Sequence, residues 1–430
     1  MNPGEGLRVK QATYHGDGAK PKEFPSDILF DIFSRLPIKT LLRFKCVSPL
    51  WCTIIDDPYL ARLHRLQCVE KPKVLVLEPT RKPAVPVFRE DRSGILRFVS
   101  RKLNAYSLES CCNGLLCFTR IFVNCNHSPL FLVNLQRQQV VELPRPPCIG
   151  TPWPPVHTSD SDCKCSYGLG FDCATNTYKI VVVFFSGNPG QDGNLCAQVY
   201  TLGGRGSSWR PVKGPPNCSF YDKPECERGF YEMPVYARGA LHWLVKPQGY
   251  NLPWLFKPPG YNDVPSHEFQ RDLINIVYFD VGKEEFGLIS PPRSRTGTPF
   301  HLVDLGGDLA VVIIKYHFWL IQIWVMKEYD QKKEWVQEYK IYLDQVNSIL
   351  PSIRVMGLFE DGEILVTVNW KSFLFYNPKT DVLKRRRHYI PRVFDFEREV
   401  LCHNMGTLLS LDMFREEGST LLSLDMFQEE

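Results

Sequence analysis

After residue 70 the chain repeats one short unit: a strand, a polar or glycine turn, and a return strand. No other feature restricts the fold as much. The unit begins at Leu130 (LFLVNLQRQQVVELP), Ala197 (AQVYTLGGRGSSWRPV), Asn275 (NIVYFDVGKEEFGLISPP), Ile321 (IQIWVMKEYDQKKEWVQEY) and Phe373 (FLFYNPKTDVLKRR). Apolar residues alternate on both arms of each unit, as they do in hairpin strands. Two more strand-like runs precede each later unit: 167–172 with 178–185, 235–238 with 241–245, 301–305 with 309–316, and 355–359 with 364–368. The repeating block is therefore four antiparallel strands, which is the pattern of a β-propeller. Five blocks are visible. A sixth is expected to be composite, from 74–77, 85–88 and 95–99, with 408–414 closing the ring and hiding the sheet edges. The prediction is an all-β propeller of six blades over 69–415, behind a small helical domain.

That helical domain spans 23–68. Ile28, Leu29, Ile32, Phe33 and Leu36 recur at helical spacing. Pro25, Ser26 and Asp27 suit a first turn, where an acidic group meets the positive end of the helix dipole, and Pro37 stops the helix. A second helix carries Leu41, Leu42, Phe44, Cys46 and Val47. Ser48-Pro49 restarts the chain as an N-cap followed by an N1 proline, and Leu50, Trp51, Ile54 and Ile55 line a third helix. Leu60, Leu63 and Leu66 extend the pattern past Asp56-Asp57-Pro58. A unit of about 40 residues is too small to bury apolar residues on several helix faces. The surplus calls for a covering partner or for the rest of the chain.

This stretch resembles an F-box. The match is carried by Pro25, Asp27, Ile32, Arg35, Leu36, Pro37, Leu41, Leu42, Arg43, Phe44, Cys46, Val47, Ser48, Trp51, Asp57 and Pro58, with mild departures at Phe24, Phe33 and Pro49. The region behind it resembles the F-box-associated domain of a large plant F-box family. That likeness rests on CNGLLC at 112–117, GLGFD at 168–172, YKIV at 178–181, VYTL at 199–202, SWR at 208–210, GALHWL at 239–244, FD at 279–280, IWVMKE at 323–328 and YNP at 376–378. Asn134-Leu135 stands where Asn-Pro is usual in the family. The resemblance implies a non-catalytic substrate-recognition subunit of an SCF-type ubiquitin ligase. Such a subunit holds a Skp-type adaptor, and through it a cullin, and recruits a target protein whose identity the resemblance does not supply. On this reading Pro25, Ile28, Leu29, Leu41, Leu42, Val47 and Trp51 carry adaptor docking or the helix packing that shapes it. Two alternatives are an adaptor-bound interaction protein acting outside a ligase and a glycan-binding propeller.

Antiparallel alternation sends blade-to-blade connections and second-to-third loops to one face, and the other two loop types to the opposite face. The short connections 173–176, 203–206, 282–285, 306–307, 361–362 and 378–380 all fall in the second group. The long ones, 145–166, 186–194, 214–233, 246–271 and 291–299, all fall in the first. The long-loop face is the expected target site, since binding loops sit on rigid scaffolds. Its candidate anchors are Trp153, Tyr221, Tyr231, Tyr250, Trp254 and Tyr261, aromatics being favoured at interfaces.

Other chemistry finds little support. The 15 cysteines are irregularly spaced, with no paired C-x-x-C, and His157, His242 and His301 lack motif neighbours. No metal, cofactor or catalytic residue is expected. A net charge of +4 is too small to argue for nucleic acid. The run 309–326 carries Lys315, His317 and Gln322, costly groups in lipid, so two buried strands explain it better than a membrane span. Residues 1–22 are polar and Gly-rich and read as a tail without a signal segment. With the cysteine usage, this suggests a reduced cytosolic or nuclear setting. The cluster 384–388, KRRRH, reads as a solvated edge strand. At the end, TLLSLDMFREE from Thr407 is repeated as TLLSLDMFQEE from Thr420. Only one copy is needed to complete a blade, and the second, in the tail 416–430, is expected to hang free or to compete for the same edge.

Overall fold

A computed structural model describes residues 25–67, the strands and most tight turns between 73 and 403, and residues 407–414 and 421–423. The connections 121–128, 148–164, 187–193, 221–232, 247–274, 344–352 and 386–398 lie outside the described residues.

Four helices come first: α1 (Ser26–Ser34), α2 (Ile38–Phe44), α3 (Pro49–Asp56) and α4 (Pro58–Gln67). The Ser48 side chain caps α3 by accepting from the Trp51 amide at 3.1 Å, and Pro49 follows in its first turn. Leu29, Phe33, Ile38, Leu41, Ile54, Ile55 and Leu60 form the buried core of the bundle. The Trp51 ring meets Phe33 and Phe44 at centroid distances of 5.1 and 5.2 Å.

The chain then supplies β1 (Lys73–Pro79), β2 (Val87–Glu90) and β3 (Leu96–Ser100). The first blade is β4 (Tyr106–Cys112), β5 (Leu115–Arg120), β6 (Leu130–Asn134) and β7 (Gln139–Leu143). The second is β8 (Cys165–Asp172), β9 (Thr177–Ser186), β10 (Asn194–Thr201) and β11 (Arg210–Val212). In the third, β12 (Ser219–Phe220) and β13 (Val235–Ala237) share one edge of β14 (Ala240–Lys246), followed by β15 (Asn275–Asp280) and β16 (Glu285–Ile289). The fourth is β17 (Pro299–Leu305), β18 (Asp308–Lys315), β19 (Leu320–Lys327) and β20 (Glu334–Tyr342). The fifth is β21 (Ile353–Leu358), β22 (Ile364–Val368), β23 (Ser372–Asn377) and β24 (Val382–Arg385). The apolar run 309–326 thus falls in β18 and β19, which pair antiparallel through buried residues. Lys384 and Arg385 lie exposed on the outer strand β24, and the rest of that basic cluster is outside the described residues.

Ring closure departs from expectation. The sixth sheet is mixed: β1 pairs parallel with β3 and antiparallel with β25 (Glu399–His403). The expected six blades are thus five antiparallel blades and one mixed sheet. Residues 399–403 supply the closing strand, whereas 408–414 join no sheet. Residues Leu411–Phe414 form a 3-10 turn, and β26 (Leu421–Ser423) adds a strand outside β7.

Shared apolar clusters hold neighbouring sheets together. Leu75 and Phe98 of the mixed sheet pack with Leu116 and Phe131 of the first blade, and Leu132 and Val141 pack with Leu169 and Ile180 of the second. At the far side Val76 packs with Leu365 and Phe375 of the fifth. Side-chain latches repeat as well. The Trp209 indole donates to the Pro144 carbonyl at 2.7 Å, and Trp335 donates to the Ser290 carbonyl at 2.8 Å. Each tryptophan stands at the start of an outer strand and reaches the residue just after the preceding blade's outer strand. Between the second and third blades, buried Lys179 donates to Asp172 at 3.1 Å and to the Val281 carbonyl at 2.8 Å, and it pairs with Glu284 at 2.9 Å. Arg210 completes the group on Glu284.

Candidate functional site

Two surfaces are the candidates named from the sequence: the uncovered side of the helices, and the propeller end away from them. The helices come first, because their spacing leaves apolar groups over. Ile28 is 47% exposed, Ile32 45%, Val47 59% and Leu50 39%, while their neighbours Leu29 and Leu41 are 5% and 0% exposed. Ile28 and Ile32 are one helical turn apart, so they share a side of α1. Tyr59 and Leu66 on α4 are exposed too.

The structure therefore divides the residues assigned to adaptor docking. Pro25, Ile28 and Val47 are exposed, and Leu42 and Trp51 are half-buried. Leu29 and Leu41 are sealed in the helical core and shape the surface without being part of it. Ile32 and Leu50 belong with Ile28 and Val47. Helical periodicity already placed Ile32 beside Ile28, but it could not say which side of the stripe the core would take.

The helices are not a loose appendage. The turn between β6 and β7 sends Arg137 into them. Its side chain, 3% exposed, donates to the Asp56 carboxylate at 2.6 Å and to the Ile55 carbonyl at 3.1 Å. Lys45 binds the same carboxylate at 2.8 Å. Burial pushes the Asp56 carboxyl up, but hydrogen bonds and charge from Lys45 and Arg137 outweigh it, leaving the group below the usual carboxylate range. Asn134 sets this turn, its side-chain oxygen accepting from the Gln136 and Arg137 amides. On α4, the Arg65 guanidinium lies 3.6 Å from the centroid of the Phe171 ring and donates to Asn176 at 3.3 Å. Buried His64 holds the Leu36 carbonyl at 2.8 Å, tying α4 to the end of α1.

A third tie comes from 407–414. Leu408 enters the helical core, while Leu409, Leu411 and Phe414 enter the core of the first two blades. The first two ties use tight turns, 135–138 and 173–176, at the short-turn end of the blades. Strand direction sends 148–164, 187–193 and 247–274 from the opposite end. Trp153, Tyr221, Tyr231, Tyr250, Trp254 and Tyr261 lie outside the described residues.

Sequence reasoning missed the joint. Arg137, Asp56, Arg65 and Phe171 are scattered along the chain, and no spacing rule links them. Two of the three histidines singled out earlier, His242 and His301, are core groups. His242 is bound to Tyr329 at 2.7 Å and to the Val235 carbonyl at 3.1 Å, and burial lowers its pKa to about 4. His301, held at the Val355 backbone, is lowered to about 3 by the same cause. His157 is outside the described residues. Among the described residues no group of three or more His, Cys, Asp or Glu side chains could hold a metal ion.

The fold is a helical domain with an uncovered apolar side, fastened to a β-propeller. Comparison with known proteins agrees. The F-box domain family matches residues 22–63, and the F-box associated beta propeller domain family matches 95–237 and 265–406. The chain belongs to the F-box proteins that carry an F-box associated propeller. Among its relatives, F-box protein At3g07870 of Arabidopsis thaliana is 25% identical, with 86% of this chain and 88% of that one aligned. F-box protein CPR1 of the same plant is 25% identical over 74% of this chain and 72% of its own length. Among solved structures, the Dos1 propeller aligns with 73% of this chain and 83% of its own, at 7% identity and a TM-score of 0.32, too low to argue from.

Proposed function

We propose that this chain is the non-catalytic substrate receptor of an SCF-type ubiquitin ligase. A Skp-type adaptor covers the exposed side of α1 and the segment from Val47 to Leu50, and through the adaptor the chain joins a cullin. The target sits on the long-loop end of the propeller, where the aromatic anchors lie in sequence. Its lysines are modified because they are held near a charged ubiquitin carrier, which raises their effective concentration without chemistry from this chain.

The observation that carries the reading is the placement of the helices. They are pinned to the short-turn end by Arg137–Asp56 and Arg65–Phe171, and Ile28, Ile32, Val47 and Leu50 stay uncovered. An adaptor on that surface leaves the opposite end open to a target. The test is co-purification of adaptor and cullin with the full chain, followed by replacement of 247–270 with a short Gly-Ser linker. Adaptor and cullin are expected to remain bound while target recruitment is lost. A chain that captures the adaptor but never a cullin belongs outside a ligase.

A further inference from the structure

The octapeptide TLLSLDMF occurs twice near the C-terminus, at 407–414 and at 420–427. The first copy fills a built seat where helices and propeller meet. Asn134 donates to the Leu409 carbonyl at 2.9 Å, and the Gln139 carboxamide accepts from the Leu411 amide at 2.9 Å. Gln139 also donates to Ser410 at 3.1 Å and to Asp412 at 3.2 Å. Leu408 is 1% exposed, Leu411 0% and Phe414 6%. The Phe414 ring lies against Gly203, whose φ of +82° favours glycine and where an added Cβ would stand 3.3 Å from that ring.

Residues 421–423 of the second copy lie beside that seat. Its β26 pairs with β7, and Ser423 is the register partner of Gln139. Ser423 is the counterpart of Ser410, so Gln139 meets the same serine of both copies, one through its side chain and the other through its backbone. Each group the seat uses on the first copy, from Thr407 to Phe414, has an identical counterpart in the second.

We propose that the seat between the helices and the first two blades is a binding site for this octapeptide, and that either copy can fill it. The two ligands are chemically equal and differ in tether. Residues 404–406 join β25 to the first copy, whereas 404–419 would join it to the second. The entropy of closing the longer tether favours the first copy by roughly tenfold. When the first copy is damaged, the second takes the seat and β26 leaves the edge of β7.

The experiment follows amide exchange in the full-length chain. In the wild type, slow exchange is expected at Leu409 and Leu411. In L411D/F414D protection is expected to appear at Leu424, the counterpart of Leu411, with the unfolding midpoint largely kept. Adding L424D/F427D is expected to remove that protection and lower the midpoint by several degrees. The milder L411S variant gives the same reading where two buried aspartates would be too disruptive. The proposal is overturned if exchange at Leu424 is unchanged in both first-copy variants. It is equally overturned if L411D/F414D alone is as destabilised as the four-site variant.

Discussion

Arg137 and Asp56 lie 81 positions apart and meet at 2.6 Å, joining a propeller turn to the end of a helix. The same guanidinium also holds the Ile55 carbonyl. Position 137 is thereby one of the points that fasten the helices to the propeller, beside Arg65 and Leu408.

Removing this arginine tests the rigidity of the joint. R137A is expected to raise amide exchange in α3 and α4 while the blades stay protected. A double-mutant cycle with D56A is expected to give a coupling of about 1–3 kcal/mol, the usual span for residues sharing a network. A coupling near zero would mean that the apolar ties carry the joint without it.

The exposed and buried apolar residues of the helices are expected to part company on substitution. I28D/V47D changes only uncovered positions, so the unfolding midpoint is expected to hold while adaptor capture falls at least tenfold. That is the usual loss at an interface hot spot. L41D instead buries an unpaired carboxylate in the helical core and is expected to unfold it. Binding by surface resonance, measured beside thermal unfolding, separates the two outcomes.

Lys179 holds the second and third blades together from a buried position between Asp172 and Glu284. K179M leaves those carboxylates without their shared cation. The expected cost is about 3–5 kcal/mol, the range for breaking a buried ion pair from one side. Denaturant unfolding of the full chain reads it.

Acid is expected to weaken the protein through its buried histidines. His242 and His301 are held neutral by burial, with pKa values lowered from 6.5 to about 4 and about 3. A group whose folded pKa is depressed adds stability above its unfolded pKa, and that stability is lost as pH falls toward the folded value. The window therefore opens near pH 6.5 and closes near pH 3–4. Each site contributes on the order of 3 kcal/mol across it. H242Q is expected to flatten the slope of stability against pH in this window by about one proton.

Much of the architecture was legible from local pattern. Alternation in 197–212 and 321–339 announced hairpins, because a strand half-buried between sheets must alternate or be apolar throughout. Ser48-Pro49 announced the start of α3, since the capping hydroxyl and the fixed proline φ act within one turn. The apolar excess of 24–64 announced an uncovered surface. Which residues compose that surface was not legible. The periodicity of α1 is satisfied by either choice of inner side, and the choice fell to Leu29 and Phe33 because Leu41, Ile55 and Leu60 meet them there.

Two outcomes mark the boundary most sharply. In ring closure, 399–403 takes the edge of β1 that 408–414 were expected to fill. The two tandem copies begin with the same eight residues and yet differ: 408–410 form no strand, whereas their counterparts 421–423 form one on β7. Local propensity is identical in both. What separates them is the surroundings, a seat that takes Leu408 and Leu409 in one case and an open row of backbone hydrogen bonds on β7 in the other, and surroundings of that kind exist only after the chain has folded.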